Sequence, residues 1–259
     1  MIFLQILKIN FNNMSHILRV VPTPIGNLED ITIRSLNYFK QADLVICEDT
    51  RSANRLFRML DIDLFDKKFL SYHKDNEHRI VDMLINEIRT YTFPILLSEA
   101  GMPAISDPGY LLIRNCIKAG LEIEVKSDGT FPKSGLEIEV IPGASAVLVA
   151  LVGSGLPCDK FHFEGFLPTK SGRKQRLEFI KNYPFTSVIY ESPYRINKTL
   201  QEMLEFFSPD HPIAIGRELT KMHEEFIRGQ LSEIIEQTKD KKWKGEIVLV
   251  IAGKNIKNS

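Results

Sequence analysis

Residues 94–110 read PILLSEAGMPAISDPGY, an apolar run PILLS that passes directly into a loop carrying two glycines and two prolines. A short continuous apolar run bounded by turn residues is the pattern of a strand covered on both faces. A long irregular loop of small residues exposes backbone groups and suits a small polar ligand. Open α/β sheets hold their ligands just beyond the carboxyl ends of such strands. The stretch therefore predicts a buried parallel strand with a binding loop at its end.

Working outward, the same rhythm repeats. ILRVV (17–21) leads through a Pro/Gly loop to a helical pattern over 31–41, and LVIC (44–47) to another over 51–60. Residues 76–89 and 109–119 are also helical in period. Strands alternating with helices predict a mostly parallel sheet covered by helices.

The word GLEIEV occurs at 120–125 and again at 135–140, separated by KSDGTFPKS. This reads as a local tandem duplication, too short for a repeat architecture. Each copy alternates as a strand, so either fills one sheet position. One copy is expected in the sheet; the other, with Asp128-Gly129 as a turn, projects as a loop or hairpin. After Pro142-Gly143 comes an apolar helix, ASAVLVALVGSG. SVIY (187–190), PIAIG (212–216), EEFIRG (224–229) and EIVLVIAG (246–253) then read as strands among Glu/Lys-rich helices, the pattern of an α+β or mixed-sheet domain. The expected division is an N-terminal extension over 1–13, an α/β domain over 14–142 that includes the duplicated 120–140, and a second domain over 143–259.

The chain has 259 residues, 44% hydrophobic and 25% charged, which fits a globular protein with a real core. Formal net charge is zero, so any nucleic-acid contact must come from a local patch. Cys47, Cys116 and Cys158 are odd in number and form no CxxC pair, which disfavours a disulfide framework or a zinc site. No metal site is expected. No apolar run is long enough to span a bilayer, and MIFLQILKIN is interrupted by Lys8 with no small-residue cleavage site after it. A cytoplasmic protein is the expectation.

Four further loops carry small or polar residues, three of them at predicted strand ends. TPIGNLED (23–30) brings Gly26 for close backbone approach, with Asn27 and Asp30 to turn the chain or cap a helix starting at Ile31. It is as readily an ordinary turn as a ligand loop. CEDTR (47–51) sets two acids and an arginine at a strand end, either a general base with its orienting cation or a helix cap with an ion pair. SYHKDNE (71–77) adds a polar loop with His73, a residue type more often structural than catalytic when alone. IPGASA (141–146) presents a helix N-terminus whose free N–H groups suit a carboxylate. Neither GxGxxG nor GxxxxGK[ST] occurs, which disfavours dinucleotide and NTP sites.

TPIGNLEDIT, EDTR, SYH-x-x-NE, AG-x-P-x-ISDPGY, IPG-x-SA, SGLP, FEGFLP, YESP-x-R, RELTK and GEIVLV follow one another in this order. Together they resemble the ribosomal RNA small-subunit methyltransferase I family of the tetrapyrrole-methylase superfamily, from about Ile17 to Ile251. The resemblance implies two α/β domains of the class III S-adenosylmethionine (SAM) methyltransferase fold, with SAM in the interdomain cleft and a homodimer as the usual form. It implies 2′-O-methylation of a cytidine in 16S rRNA within the small ribosomal subunit. Ala100, Gly101, Met102, Ile105, Ser145, Ala146, Tyr190, Glu191, Ser192, Arg217 and Glu218 become the implied SAM contacts. Thr23, Pro24, Gly26 and Asn27 fall on the acceptor side. Glu99 and Met102 stand where the family has Asp and Thr, and Tyr194 where it has His.

A ribose hydroxyl is a weak nucleophile, so a base or a charge that stabilises developing alkoxide helps its methylation. Asp30, Glu48, Asp49 and Arg51 are the candidates, with Arg195 as a phosphate or alkoxide partner. Lys170, Arg173, Lys174 and Arg176 form the best local basic patch for RNA; by charge alone a solvated helix start is the preferred reading. Two rival readings remain at this stage, methylation of a tetrapyrrole or a modified side chain, and a non-catalytic SAM-binding assembly factor.

Overall fold

The computed structural model describes residues 16–121 and 136–256. The chain divides into two units. The first takes the residues up to Thr23 and Ile31–Gly143; the second takes Pro24–Asp30 and the chain from Ala144 onward. All of the TPIGNLED loop except Thr23 thus groups with the second unit, where the sequence suggested an uninterrupted 14–142.

In the first unit β1 (His16–Val20), α1 (Ile33–Gln41), β2 (Leu44–Cys47), α2 (Thr50–Met59), β3 (Lys68–Ser71), α3 (Glu77–Thr90), β4 (Pro94–Leu96), α4 (Tyr110–Leu121) and β5 (Leu136–Val140) alternate. The sheet order is β3-β2-β4-β1-β5, and every pairing is parallel. Strand alternation sends Leu18, Val20, Leu44, Ile46 and Leu96 to one face with Leu84, Ile88 and Leu112. It sends Val21, Val45, Cys47, Ile95 and Leu97 to the other face with Phe39 and Phe57. Both faces are buried, which is why these strands read as continuous apolar runs.

The second GLEIEV copy supplies β5, paired in register with β1 from His16–Leu136 to Val20–Val140. The first copy enters α4 through Gly120 and Leu121; its remainder, including the expected turn at Asp128-Gly129, lies outside the described residues. A Cβ on Gly120 would run into the Leu136 carbonyl, so this helix packs backbone to backbone on the start of β5. Residues 1–13 also lie outside the described residues.

The second unit holds α5 (Ala146–Ser154), β6 (Phe161–Phe166), α6 (Arg173–Asn182), β7 (Thr186–Glu191), α7 (Ile196–Met203), β8 (Pro212–Arg217), β9 (Glu225–Gln230), α8 (Leu231–Thr238) and β10 (Ile247–Ile251). Its sheet, β6-β7-β10-β8-β9, is mixed: β6 and β7 run parallel and the remaining pairs antiparallel. Val147, Ala150 and Leu151 of α5 cover one face. Leu177, Leu200 and Ile234, one from each of α6, α7 and α8, cover the other. The strands β3 and β6 escaped the sequence reading. KFLS is too short to show alternation, and FHFEGF is broken by a bulge between Phe163 and Gly165.

Candidate active site

The first unit places its loops by topology. β1 and β4 are neighbours, yet the chain leaving β1 runs through α1, whose Phe39 packs on one face of the sheet, and the chain leaving β4 runs through α4, whose Leu112 packs on the other. Loops that diverge from adjacent parallel strands leave a crevice at their carboxyl ends, the position where such sheets bind ligands. The loops following β1 and β4 are then tied together. Thr23 N–H donates to the Gly101 carbonyl at 3.0 Å and Gly101 N–H to the Thr23 carbonyl at 3.1 Å. The Ser98 hydroxyl donates to the same Gly101 carbonyl at 2.9 Å, and Thr23 Oγ1 donates to the Ser98 carbonyl at 3.3 Å.

The β4 loop bends through left-handed backbone at Gly101 (φ 80°), Ala104 (φ 69°) and Ser106 (φ 64°). Left-handed alanine and serine cost energy and persist only where their surroundings hold them, a signature of functional loops. Ala100 and Ile105 are exposed and Met102 is half-buried. The loop thus offers backbone polar groups beside small or apolar side chains. That lining suits a small polar ligand held by main-chain contacts.

At the carboxyl end of β2 the acidic pair separates chemically. Asp49 is the N-cap of α2: its carboxylate accepts from the Arg51 N–H at 2.7 Å and from Arg51 Nη2 at 2.8 Å. Hydrogen bonds from the Arg51 side chain and backbone hold its carboxyl down at about 2. A base so weak and so occupied is a poor proton acceptor. Glu48 moves the other way. Partial burial and then the nearby charge of Glu99 raise it above the ordinary carboxylate value, with Lys74 and His73 opposing. Glu48 is therefore the acid in this cluster tuned toward base chemistry. Its carbonyl accepts from the Ser71 hydroxyl at 2.9 Å, which joins the β2 and β3 loops. Buried Asn76 shapes the latter, donating to the Ser71 carbonyl at 3.1 Å and accepting from the His73 N–H at 2.9 Å. The His73 imidazole comes within 4.0 Å of the exposed Asp75 carboxylate.

In the second unit Asp30 does not cap α1. It lies exposed in a 3-10 turn over Leu28–Asp30, and Thr32, with extended backbone, accepts from the Ser35 N–H at 3.0 Å instead. The turn rests on the RELTK loop. Asn27 N–H donates to Thr220 Oγ1 at 3.1 Å, and a Cβ on Gly26 would lie 2.8 Å from that oxygen and 3.1 Å from the Leu219 carbonyl. Only glycine permits this approach. Glu218 (φ 49°) and Thr220 (φ 64°) are left-handed. The sequence reading missed Thr220 and Lys221 as the partners of Gly26, because nothing in the spacing joins residues so far apart.

Several implied contacts are already engaged within this unit. Glu191 is buried; its carboxylate accepts from Arg195 Nη2 at 2.8 Å, the Ser192 N–H at 2.7 Å and the Thr199 hydroxyl at 2.6 Å. Tyr190 packs its ring on Phe163 and Phe166. The Arg217 guanidinium donates to Glu225 at 3.0 Å and to the Lys244 and His223 carbonyls. Burial works against ionised Glu218, but the Glu246 N–H and Lys221 hold its carboxyl below the usual range. Ser145 is the N-cap of α5, and its side chain makes no cap hydrogen bond to the first turn that starts at Ala146.

The basic patch over 170–176 is largely neutralised. Arg173 is buried, donating to Glu202 at 2.7 Å and to the Thr199 hydroxyl at 2.6 Å, which removes it from any RNA-facing set. Arg176 is clamped on Glu164 and Lys174 pairs with Glu205 at 3.0 Å, so of these four cations Lys170 alone has no carboxylate partner among the described residues. Arg195 is likewise committed to Glu191 rather than open to a phosphate.

With this geometry in hand, the sequence profile of the tetrapyrrole (corrin/porphyrin) methylases matches residues 18–235. A protein of Hydrogenobaculum sp. (strain Y04AAS1) named ribosomal RNA small subunit methyltransferase I is 44% identical over 92% of this chain and 96% of its own. Its namesake from Halalkalibacterium halodurans is 42% identical over 93% of this chain and 77% of its own. In fold, the chain is similar to a uroporphyrin-III C-methyl transferase from Thermus thermophilus complexed with S-adenyl homocysteine. That likeness has a TM-score of 0.57 and 19% identity, covering 90% and 96% of the two chains.

Proposed function

The chain belongs to the tetrapyrrole (corrin/porphyrin) methylase family and is a SAM-dependent methyltransferase, and we propose that its acceptor is the ribose 2′-hydroxyl of a cytidine in 16S rRNA of the small ribosomal subunit. One observation carries the rRNA reading, the kinship over nearly the whole chain with proteins bearing that rRNA name. The tied loops at the ends of β1 and β4 support a methyl-transfer site.

Bound SAM supplies a methyl group already activated on a sulfonium. The protein has to place the acceptor oxygen in line with it and exclude water. Ala100, Gly101, Met102 and Ile105 of the left-handed β4 loop would hold the cofactor, and Ser145 and Ala146 at the start of α5 are assigned to it as well. Glu48 would take the 2′-hydroxyl proton as the oxygen bonds the methyl carbon and the carbon–sulfur bond breaks, its electron pair staying on the departing S-adenosylhomocysteine. Asp49 and Arg51 fix the helix that follows it. Thr23, Gly26 and Asn27 face the acceptor. Tyr190, Ser192, Arg217 and Glu218 complete the cofactor contacts, and Glu191 acts by shaping the backbone around Ser192. A homodimer in the cytoplasm completes the reading. Leu148 and Val152, exposed on the apolar α5, support self-association. No described helix is long and apolar enough to cross a membrane.

The test is transfer of labelled methyl from SAM to unmethylated small subunits, followed by nuclease mapping. Label on a cytidine 2′-oxygen of 16S rRNA is expected. Efficient SAM binding with no label on rRNA would overturn the reading, and label on a uroporphyrin would replace it.

A further inference from the structure

α2 carries Arg51, Arg55 and Arg58 on one side, and no acidic residue. The spacing i, i+4, i+7 keeps all three on one helix face. All are exposed, and together with Asn54 and Met59 they line an open depression of about 470 Å³. Arg51 shares its charge with the cap Asp49 at 2.8 Å; Arg55 and Arg58 have no ion-pair partner among the described residues. This contrasts with the 170–176 segment, where Glu202, Glu205 and Glu164 hold the cations.

Arg51 in the first turn is offset by the N-cap Asp49, and Arg58 in the last turn complements the helix macrodipole. The stripe starts beside Glu48, at the carboxyl end of β2, and leads away from it along the helix. At a rise of about 1.5 Å per residue it covers roughly 10 Å, about three nucleotides of a strand rising roughly 3.4 Å each.

We propose that the Arg51-Arg55-Arg58 face of α2 is a docking surface for the sugar–phosphate backbone of the substrate RNA, guiding the strand toward Glu48. The proposal rests on the rRNA reading above. On a chain of zero net charge, charge complementarity of this kind has to be local, and here it is concentrated on one exposed face. Unneutralised arginines suit phosphates because each guanidinium donates two parallel hydrogen bonds.

The experiment compares wild type with R55E/R58E and R55Q/R58Q, measuring affinity for unmethylated small subunits across a salt series, the KM for subunits, and SAM affinity. The expected result for the charge reversal is a loss of about tenfold or more in subunit affinity. The slope of log K against log salt should become shallower by roughly 1.4, the share of two single-strand phosphate contacts. SAM affinity stays at the wild-type value, and the glutamine pair falls between. Wild-type affinity and salt slope in both variants, while wild type methylates rRNA normally, would overturn the docking surface alone. Failure of the wild type to methylate rRNA would overturn the rRNA reading, and this surface with it.

Discussion

Thr23 and Gly101 exchange two backbone hydrogen bonds, at 3.0 and 3.1 Å, and so clasp the loops that diverge from β1 and β4. The clasp needs Gly101 at φ 80°, where a Cβ is strained by about 1–2 kcal/mol. Gly101→Ala is therefore expected to weaken SAM binding about 5- to 30-fold if the loop shifts to relieve that strain. Calorimetric titration with SAM measures it, and an unchanged Kd together with an unchanged Tm would refute the clasp as a cofactor device.

Glu48 and Glu99 give a pH prediction with a definite sign. Burial and the Glu99 charge raise the Glu48 carboxyl, so its base form is lost as pH falls through a value above the ordinary carboxylate range. The acid limb of the rate should sit there in the wild type and move down in Glu99→Gln, which removes the like charge. Glu48→Gln should lose the limb and roughly 10²–10⁴ in kcat, with SAM affinity kept. Because the fold favours protonated Glu48, its stability contribution is lost as pH rises through the raised value. Neutral Gln escapes that loss, so the slow variant should be no less stable at neutral pH. A full-speed Glu48→Gln enzyme would leave this carboxylate without a catalytic part.

Much of this was legible in the sequence for a physical reason. Strands buried on both faces, such as LVIC and PILL, must be uniformly apolar, and loops such as SEAGMPAISDPGY must carry small residues. The duplicated GLEIEV left two candidates for one edge strand, and pairing with β1 gives the position to the second copy. What the sequence hid was charge pairing at a distance. Arg173 looks like a surface cation until α7 brings Thr199 and Glu202 to it. The bare arginines of α2 and the packing of Gly26 on Thr220 likewise need coordinates. Spacing alone also fails to tell Asp49, consumed as a cap, from Glu48, left to titrate.

The thiols provide a third test. Burial pushes Cys47 and Cys116 up to about 12, whereas Cys158 is exposed. Only a thiolate reacts readily with a disulfide reagent. At pH 8 the native protein should titrate one thiol rapidly with Ellman's reagent, and all three after denaturation in guanidinium. Rapid reaction of two or three thiols in the native state would contradict the packing around β2 and α4.

Glu191 offers the last prediction, because the resemblance gives it a ligand role and the structure gives its carboxylate another. That carboxylate is buried and accepts from Arg195, Thr199 and the Ser192 N–H, with the half-committed Arg173 guanidinium 3.8 Å away. Replacing it with alanine leaves Arg195 without its carboxylate and the Thr199 hydroxyl and Ser192 N–H without their acceptor, while Arg173 keeps Glu202; breaking a pair on a buried carboxylate costs about 3–5 kcal/mol. Glu191→Ala should therefore lower the urea midpoint of the second unit sharply, with little change in slope. Thr199→Val removes the hydroxyl that bridges Arg173 to Glu191, and should lose less, about 1–3 kcal/mol. SAM affinity, measured well below either midpoint, should fall less than these stability losses imply. A large loss of SAM affinity with an unmoved urea midpoint would return Glu191 to the ligand and take it out of the frame around Ser192.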